Sequence, residues 1–300
     1  MAGHSHGHDH APADFGSAFA VGIALNVGFV VVEVIFGFLA NSMSLLADAG
    51  HNLSDVLGLV LAWAAAMMAR RAASPRFTYG FKKAPILAAL ANSLLLFVAV
   101  GAIGAEAVRR LFHPAITHGE TVTIVAGAGI LINGATALLF ARGRKHDLNV
   151  RGAYLHMVAD AGVSLGVVVA ALVIMWTGWL WLDPATSLVI AAVVFWSGWG
   201  LARDSVNLAL DGVPRGIDLA AVKTYLGGLD GVLEVHDLHI WAMSTNETAL
   251  TAHLVRPGGH DDAFLHGVCE GLSHRFNIHH ATLQVEAGGG VCKLAPEHVV

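Results

Sequence analysis

The chain has 300 residues, 55% of them hydrophobic and only 13% charged, with a formal net charge of −5. A soluble domain carries about 25% charged residues, so the composition argues against a soluble protein and for a membrane protein. The negative charge speaks against nucleic acid as a partner, and two cysteines, Cys269 and Cys292, are too few for a disulfide framework.

Taken from the N-terminus, residues 1–14 read as a disordered leader. Its "GHSHGHDH" run sets His4, His6, His8 and His10 at alternate positions among small and polar residues, a composition that binds metal but builds no core. The leader lacks the basic-then-apolar order of a cleavable signal. Six apolar stretches follow, near 15–39, 45–69, 85–108, 121–141, 152–177 and 180–202, each close to the roughly 20 helical residues that cross a bilayer. They place a six-helix transmembrane domain over 15–211. Lysine and arginine gather in the second connection (Arg70, Arg71, Arg76, Lys82, Lys83) and the fourth (Arg142, Arg144, Lys145, Arg151). By the positive-inside rule both termini are cytoplasmic in a multi-pass cell-membrane protein. The fifth connection, "MWTGWLWLDP", carries three tryptophans, as an outer interfacial belt does.

Residues 212–300 change character. Helical periodicity at 217–229 and 261–276, and alternation around "VLEVHDLHIWAM", "ETALTAHLV" and "ATLQVEA", predict a small cytoplasmic α+β domain in the order α-β-β-α-β. Helices on one side leave an open sheet face. Because Leu250, Ala252 and Leu254 share one face, His253 points to the other, as does Glu286 opposite Val285.

Charges inside the spans are few. Two of them belong to a repeated pattern, "DAGHNLSDVLG" and "YLHMVADAGVS", which sets His51 four residues before Asp55 and His156 four before Asp160. Residues i and i+4 share a helix face. If the second and fifth spans face each other, two imidazoles and two carboxylates converge into an N/O set suited to Zn²⁺. Two carboxylates also neutralise a divalent cation where unpaired charge is costly. A lone buried histidine often only bonds a neighbouring helix; two copies of one spacing weigh for a shared function. Small residues around both pairs predict a close approach of the second and fifth spans. Asn26 and Glu33 share a face of the first span and read chiefly as bonds between helices, Asp48 as a neighbour of the site or its entrance, and Asp183 as a cap on the sixth span.

Those motifs, together with "RFTYGFKKAPILAALAN", "LDPATSLVIA" and "VHDLHIWAMSTNETALTAHLV", resemble the cation diffusion facilitator family over nearly the whole chain beyond the leader. The resemblance implies a homodimer that exports divalent metal from the cytoplasm in exchange for protons, with a ferredoxin-like, metal-responsive cytoplasmic domain. It carries the transport site to His51, Asp55, His156 and Asp160, and a salt link to Lys83 and Asp211. It places cytoplasmic metal ligands at His236 and His253, with Glu286 and Asp262 near further ligand positions. A histidine in the second span, where some relatives carry aspartate, implies zinc over cadmium. Two features depart from the family: Pro85 stands where relatives carry glutamate, and the connection 70–83 has no histidine, so a peripheral loop site is not expected.

The expected function is export of Zn²⁺ by proton antiport through an alternating four-ligand site; the rival readings are a flux-free membrane metal sensor or scaffold, and a transporter with Co²⁺, Ni²⁺ or Cd²⁺ as its main substrate. An enzyme is not expected: a hydrolytic zinc site keeps a position for water, and no "HExxH" pattern occurs.

Overall fold

The computed structural model describes residues 16–141, 148–288 and 292. The histidine leader and the basic residues Arg142, Arg144 and Lys145 lie outside them. Six long helices come first: α1 (Gly16–Leu39), α2 (Met43–Ala69), α3 (Ala84–Phe112), α4 (Gly119–Ala141), α5 (Leu148–Thr177) and α6 (Leu182–Ala209). The tail follows as α7 (Leu219–Gly227), β1 (Glu234–Ala242), β2 (Thr248–Val255), α8 (Asp262–Phe276) and β3 (His280–Glu286), the order read from the periodicities. Helices α2 to α6 are long and apolar enough to cross a membrane, and α1 contributes a shorter apolar stretch, Ala24–Leu39. Leu131, Leu138, Val98 and Trp196 point outward; a surface this apolar belongs in lipid rather than water. Pro85 lies in the first turn of α3, where its missing N–H costs no helical bond.

The chain divides into two compact units. One holds the residues up to Val56 with Leu96–Phe195, the other Leu57–Leu95 with Trp196 onward. The first unit is packed around Phe29, Leu45, Val122, Val125, Val167, Ile190 and Val194. Gly129 of α4 marks a close approach: a Cβ there would lie 2.6 Å from the Phe29 ring of α1 and 3.0 Å from Ser164 Oγ of α5. Some of the small residues of α2 and α5 therefore serve other neighbours than predicted, while Ser164 of α5 does reach α2 at Asp48. The closest backbone approach in this unit is that of α5 to α4, whereas a Cβ on Gly50 of α2 would meet Ile103 of α3 at 3.0 Å. Helices α2 and α5 stand further apart, which leaves room between them for histidine and aspartate side chains.

Asp183 corrects a second expectation. It caps another helix than its own. Oδ2 accepts from the Met43 N–H at 2.6 Å, and Oδ1 from Ser42 Oγ at 2.6 Å, Ser44 Oγ at 2.6 Å and the Ser44 N–H at 3.2 Å. The α6 carboxylate thus satisfies the N–H groups that the first turn of α2 leaves without partners, and it meets the positive end of that helix's dipole. Asp183 is buried, so its charge depends on these bonds.

In the second unit the three strands run β1-β2-β3, with β1 antiparallel and β3 parallel to β2. Val222, Leu226, Ile240, Leu250, Leu254, Val268, Leu272 and Ile278 form its core under α7 and α8. Asp218 and Asp261 cap the two helices. Lys83 is paired with Asp211, as the resemblance implied, and its neighbour Lys82 with Glu247 at the β1–β2 turn. The Tyr79 ring meets His280 edge-on at 5.7 Å, so three side chains of the α2–α3 connection bear on α6 and the tail.

Asp183→Ala leaves two helix N–H groups and two buried hydroxyls without their acceptor and should destabilise the protein by about 2–4 kcal/mol. Thermal unfolding in detergent reads this; Asp183→Asn, which keeps one acceptor oxygen, should lose less.

Candidate metal centres

Helix geometry builds the first centre. One turn of α2 carries His51 and Asp55 on a common face, and one turn of α5 does the same for His156 and Asp160. The structure brings all four together. His51 Nε2 lies 3.4 Å from Asp160 Oδ1, and His51 Nδ1 lies 3.6 Å from Asp55 Oδ2. His156 Nε2 lies 3.4 Å from Asp55 Oδ2 and 3.6 Å from Asp160 Oδ2. Imidazole and carboxylate alternate around a ring, with the two imidazoles edge to face at 6.1 Å. A tetrahedral zinc with bonds of about 2.0–2.2 Å sets neighbouring ligand atoms roughly 3.3–3.6 Å apart, the spacing of each nitrogen–oxygen pair here. The ring is nevertheless wider than a closed ligand shell. A metal takes one nitrogen from each imidazole, and His51 uses both of its nitrogens on different carboxylates. Loading an ion requires that ring to turn and the carboxylates to draw in.

Exposure falls along the site. The side chains of His156 and Asp55 are 42% and 38% exposed, that of His51 16% and that of Asp160 3%. The accessible pair lies toward the α2 C-terminus and the α5 N-terminus, the ends joined to the two basic connections. The deeper pair lies toward the opposite ends.

Beyond the ring, one turn further in, sits a polar group that the spacing argument did not assemble. Asp48 Oδ2 accepts from Ser164 Oγ at 2.9 Å, and Glu33 Oε2 accepts from Asn52 Nδ2 at 2.9 Å. Asp48 is therefore a buried neighbour of the site and not its entrance, and Glu33 bonds between helices as read. Asn26 Nδ2 lies 3.7 Å from Met157 Sδ, again between helices.

The second centre lies on the open face of the tail sheet. His236 of β1 stands opposite His253 of β2, and β3 brings Glu286 alongside. His253 Nδ1 is 3.2 Å from Glu286 Oε1, and His236 Nε2 is 3.6 Å from Glu286 Oε2. Cys292 Sγ lies 3.7 Å from His253 Nδ1. One ligand atom from each of these four residues fits within 4.8 Å of the others. His236 is buried, and neither ring nitrogen has a hydrogen-bond partner among the described residues, a costly state for an imidazole. The donor set of two imidazoles, a carboxylate and a thiol suits Zn²⁺.

Two of these residues went unweighed or underweighed in the sequence. Cys292 follows a glycine run that reads as a mobile end. Asp237 was missed because strict alternation turns it away from His236; a bulge between His236 and His239, with Asp237 at φ +50°, puts its Oδ2 3.3 Å from His253 Nε2 and its Oδ1 2.8 Å from His239 Nε2. Asp262 was expected near the ligands and is not among them: it is exposed in the first turn of α8, where an acidic residue favours the helix dipole.

The family model described as the cation efflux transmembrane domain matches residues 19–208, and that of the cation efflux protein cytoplasmic domain matches 214–288. The chain is 36% identical to the cation efflux system protein CzcD of Alcaligenes sp. (strain CT14), over 95% of this chain and 90% of that protein. It is 37% identical to the zinc transporter ZitB of Escherichia coli, over 94% and 91%. It is 34% identical to the cadmium, cobalt and zinc/H⁺–K⁺ antiporter of Bacillus subtilis, over 93% and 92%.

His253 takes part in most of the contacts of the tail cluster, so His253→Ala should remove one bound zinc per chain in equilibrium dialysis of the detergent-solubilised protein. Asp262→Ala should leave the count unchanged.

Proposed function

The chain belongs to the cation efflux family, a multi-pass membrane transporter of divalent metal cations rather than an enzyme, and from that premise we propose that it exports Zn²⁺ by exchange with protons through His51, Asp55, His156 and Asp160. The observation that carries this reading is the ring itself: four donors of the zinc type, contributed by two membrane helices, at nitrogen–oxygen separations of 3.4–3.6 Å.

The proton enters through competition. An imidazole binds metal only when neutral, so Zn²⁺ and H⁺ contend for the same nitrogen atoms. With the ring open toward the ends of α2 and α5 that carry the basic connections, taken as cytoplasmic, metal displaces protons from His51 and His156. Exposure of the same ring to the other side lets protons displace the metal. The two carboxylates neutralise the ion while it is buried. The proposed assembly is a homodimer in the cell membrane with both termini cytoplasmic. In it His236, His253, Glu286 and Cys292 hold a regulatory ion, and the Lys83–Asp211 pair ties the third helix to the end of the sixth. The histidine leader is proposed as a low-affinity collector of metal. Two imidazoles and two carboxylates do not separate Zn²⁺ sharply from Co²⁺, Ni²⁺ or Cd²⁺, and one of the relatives named above is an antiporter of cadmium, cobalt and zinc. Side-by-side flux of these ions ranks them.

Two outcomes test the reading. In sealed proteoliposomes the wild type should accumulate zinc with a saturable rate that collapses when the pH gradient is dissipated, and Asp55→Ala should abolish that flux; uptake indifferent to the gradient rejects proton exchange. At equilibrium, zinc affinity of the membrane site should fall as pH falls, by up to about 100-fold per pH unit once both imidazoles carry protons.

A further inference from the structure

Glu33 and Asp48 are the two deepest carboxyl groups of the first unit: both are fully buried. Glu33 reaches Asn52, which lies one turn from Asp48 on the same face of α2, so the two carboxyl groups are neighbours. One oxygen of each is held elsewhere, Glu33 Oε2 by Asn52 and Asp48 Oδ2 by Ser164. The remaining oxygens, Glu33 Oε1 and Asp48 Oδ1, are buried without a partner among the described residues. Neither carboxyl forms an ion pair with lysine, arginine or histidine among those residues; the groups that reach them electrostatically are Asp160 of α5 and His51 of α2. Two ionised carboxylates in contact inside an apolar bundle repel each other with nothing to offset the cost. A single proton on the pair removes one charge and turns one orphaned oxygen into a donor.

We propose that Glu33 and Asp48 form a shared-proton site, distinct from the metal ligands and one helical turn beyond them on the sealed side. Asp48 precedes Asn52 by one turn of α2, and Ser164 follows Asp160 by one turn of α5, about 5.4 Å along each axis. The inference rests on the transport reading and adds a second locus for the exchanged proton. A divalent cation in the ring disfavours a proton on the pair and drives it off. When the metal has left and the imidazoles are still neutral, the ring is negative and the pair regains the proton. Each passage moves the pair between net charges of −2 and −1, opposite in phase to the metal.

The test uses the full-length protein. In weakly buffered detergent solution, zinc bound and protons released are measured in the same sample for wild type, Glu33→Gln and Asp48→Asn. Both variants should still bind zinc at the membrane site and should release about one proton fewer per zinc than the wild type. Equal proton release in the wild type and both variants overturns the proposal. The infrared spectrum of the wild type gives an independent reading if a variant folds poorly: it should contain the C=O band of a buried carboxylic acid that zinc removes, and lack of that band overturns the proposal. Both measurements are made at equilibrium, so they decide on the pair whatever the flux. A wild type that binds zinc and releases protons but moves no zinc in proteoliposomes overturns the transport reading instead.

Discussion

The cost of an uncompensated charge in an apolar bundle organises the membrane half of this protein. Five carboxyl groups, Glu33, Asp48, Asp55, Asp160 and Asp183, sit on helices whose other residues are almost all hydrophobic, and each has a different neighbour that makes its burial tolerable. Asp183 spends its charge on the first turn of α2. Asp55 and Asp160 face imidazoles. Glu33 and Asp48 lean on an amide, a hydroxyl and one another. Only the first is a closed arrangement, with a carboxylate fully satisfied by fixed donors. In the proposed exchange a cation completes the other four, a metal between the imidazoles or a proton on the carboxyl pair. That contrast separates the residue that holds the fold from those suited to exchange.

The order of these groups along α2 gives the site a direction. From the N-terminus of the helix come the Asp183-capped turn, buried Asp48, partly covered His51 and accessible Asp55. Helix α5 runs the same series in reverse, from accessible His156 through buried Asp160 to Ser164. The capped end is fixed by four hydrogen bonds, and the open end is joined to the connections that carry the basic residues. Closing the open end and releasing the capped one is what a change of access would require, so the Asp183 network lies where the sealed side must yield.

Much of this was legible in the sequence because helix geometry is local. The i, i+4 spacing of His51 and Asp55, and of His156 and Asp160, states which side chains share a face without reference to anything distant. The six apolar runs gave the helix ends to within about four residues for the same reason, except that α6 runs on to Ala209, well past its apolar stretch, and alternation gave the strand faces that hold His253 and Glu286. What failed was non-local. The partners of Asp183 are about 140 residues away in the chain, and nothing near "LDP" says that it caps α2 rather than α6. Small residues in α2 and α5 announced a close approach but not to whom: Gly50 faces Ile103 of α3, and Ser164 lies against Gly129 of α4 while it bonds Asp48 of α2. Asp237 was lost to a bulge, since one extra residue reverses the face that strict alternation assigns. Asp262 was placed by position in a family pattern, and its helix turns it toward solvent.

The two candidate centres differ in how much of the ligand shell is already in place, and that difference bears on what each can do. In the tail, four donors from three strands and the segment after β3 already lie within 4.8 Å of one another, held by a sheet whose register sets His236 against His253. Loading such a cluster takes a smaller contraction, with His253 keeping Asp237 on its other nitrogen. In the membrane the ring must contract and the His51 imidazole must give up one of its two carboxylate contacts before an ion is fully held. Part of the binding energy is consumed in that rearrangement, which weakens the complex and ties occupancy to the spacing of α2 and α5. Weak holding coupled to helix position is what release on the far side demands, whereas strong holding on a rigid sheet suits an ion that stays. The two donor sets, one with a thiol and one with a second carboxylate, thus differ also in how far each scaffold is preset.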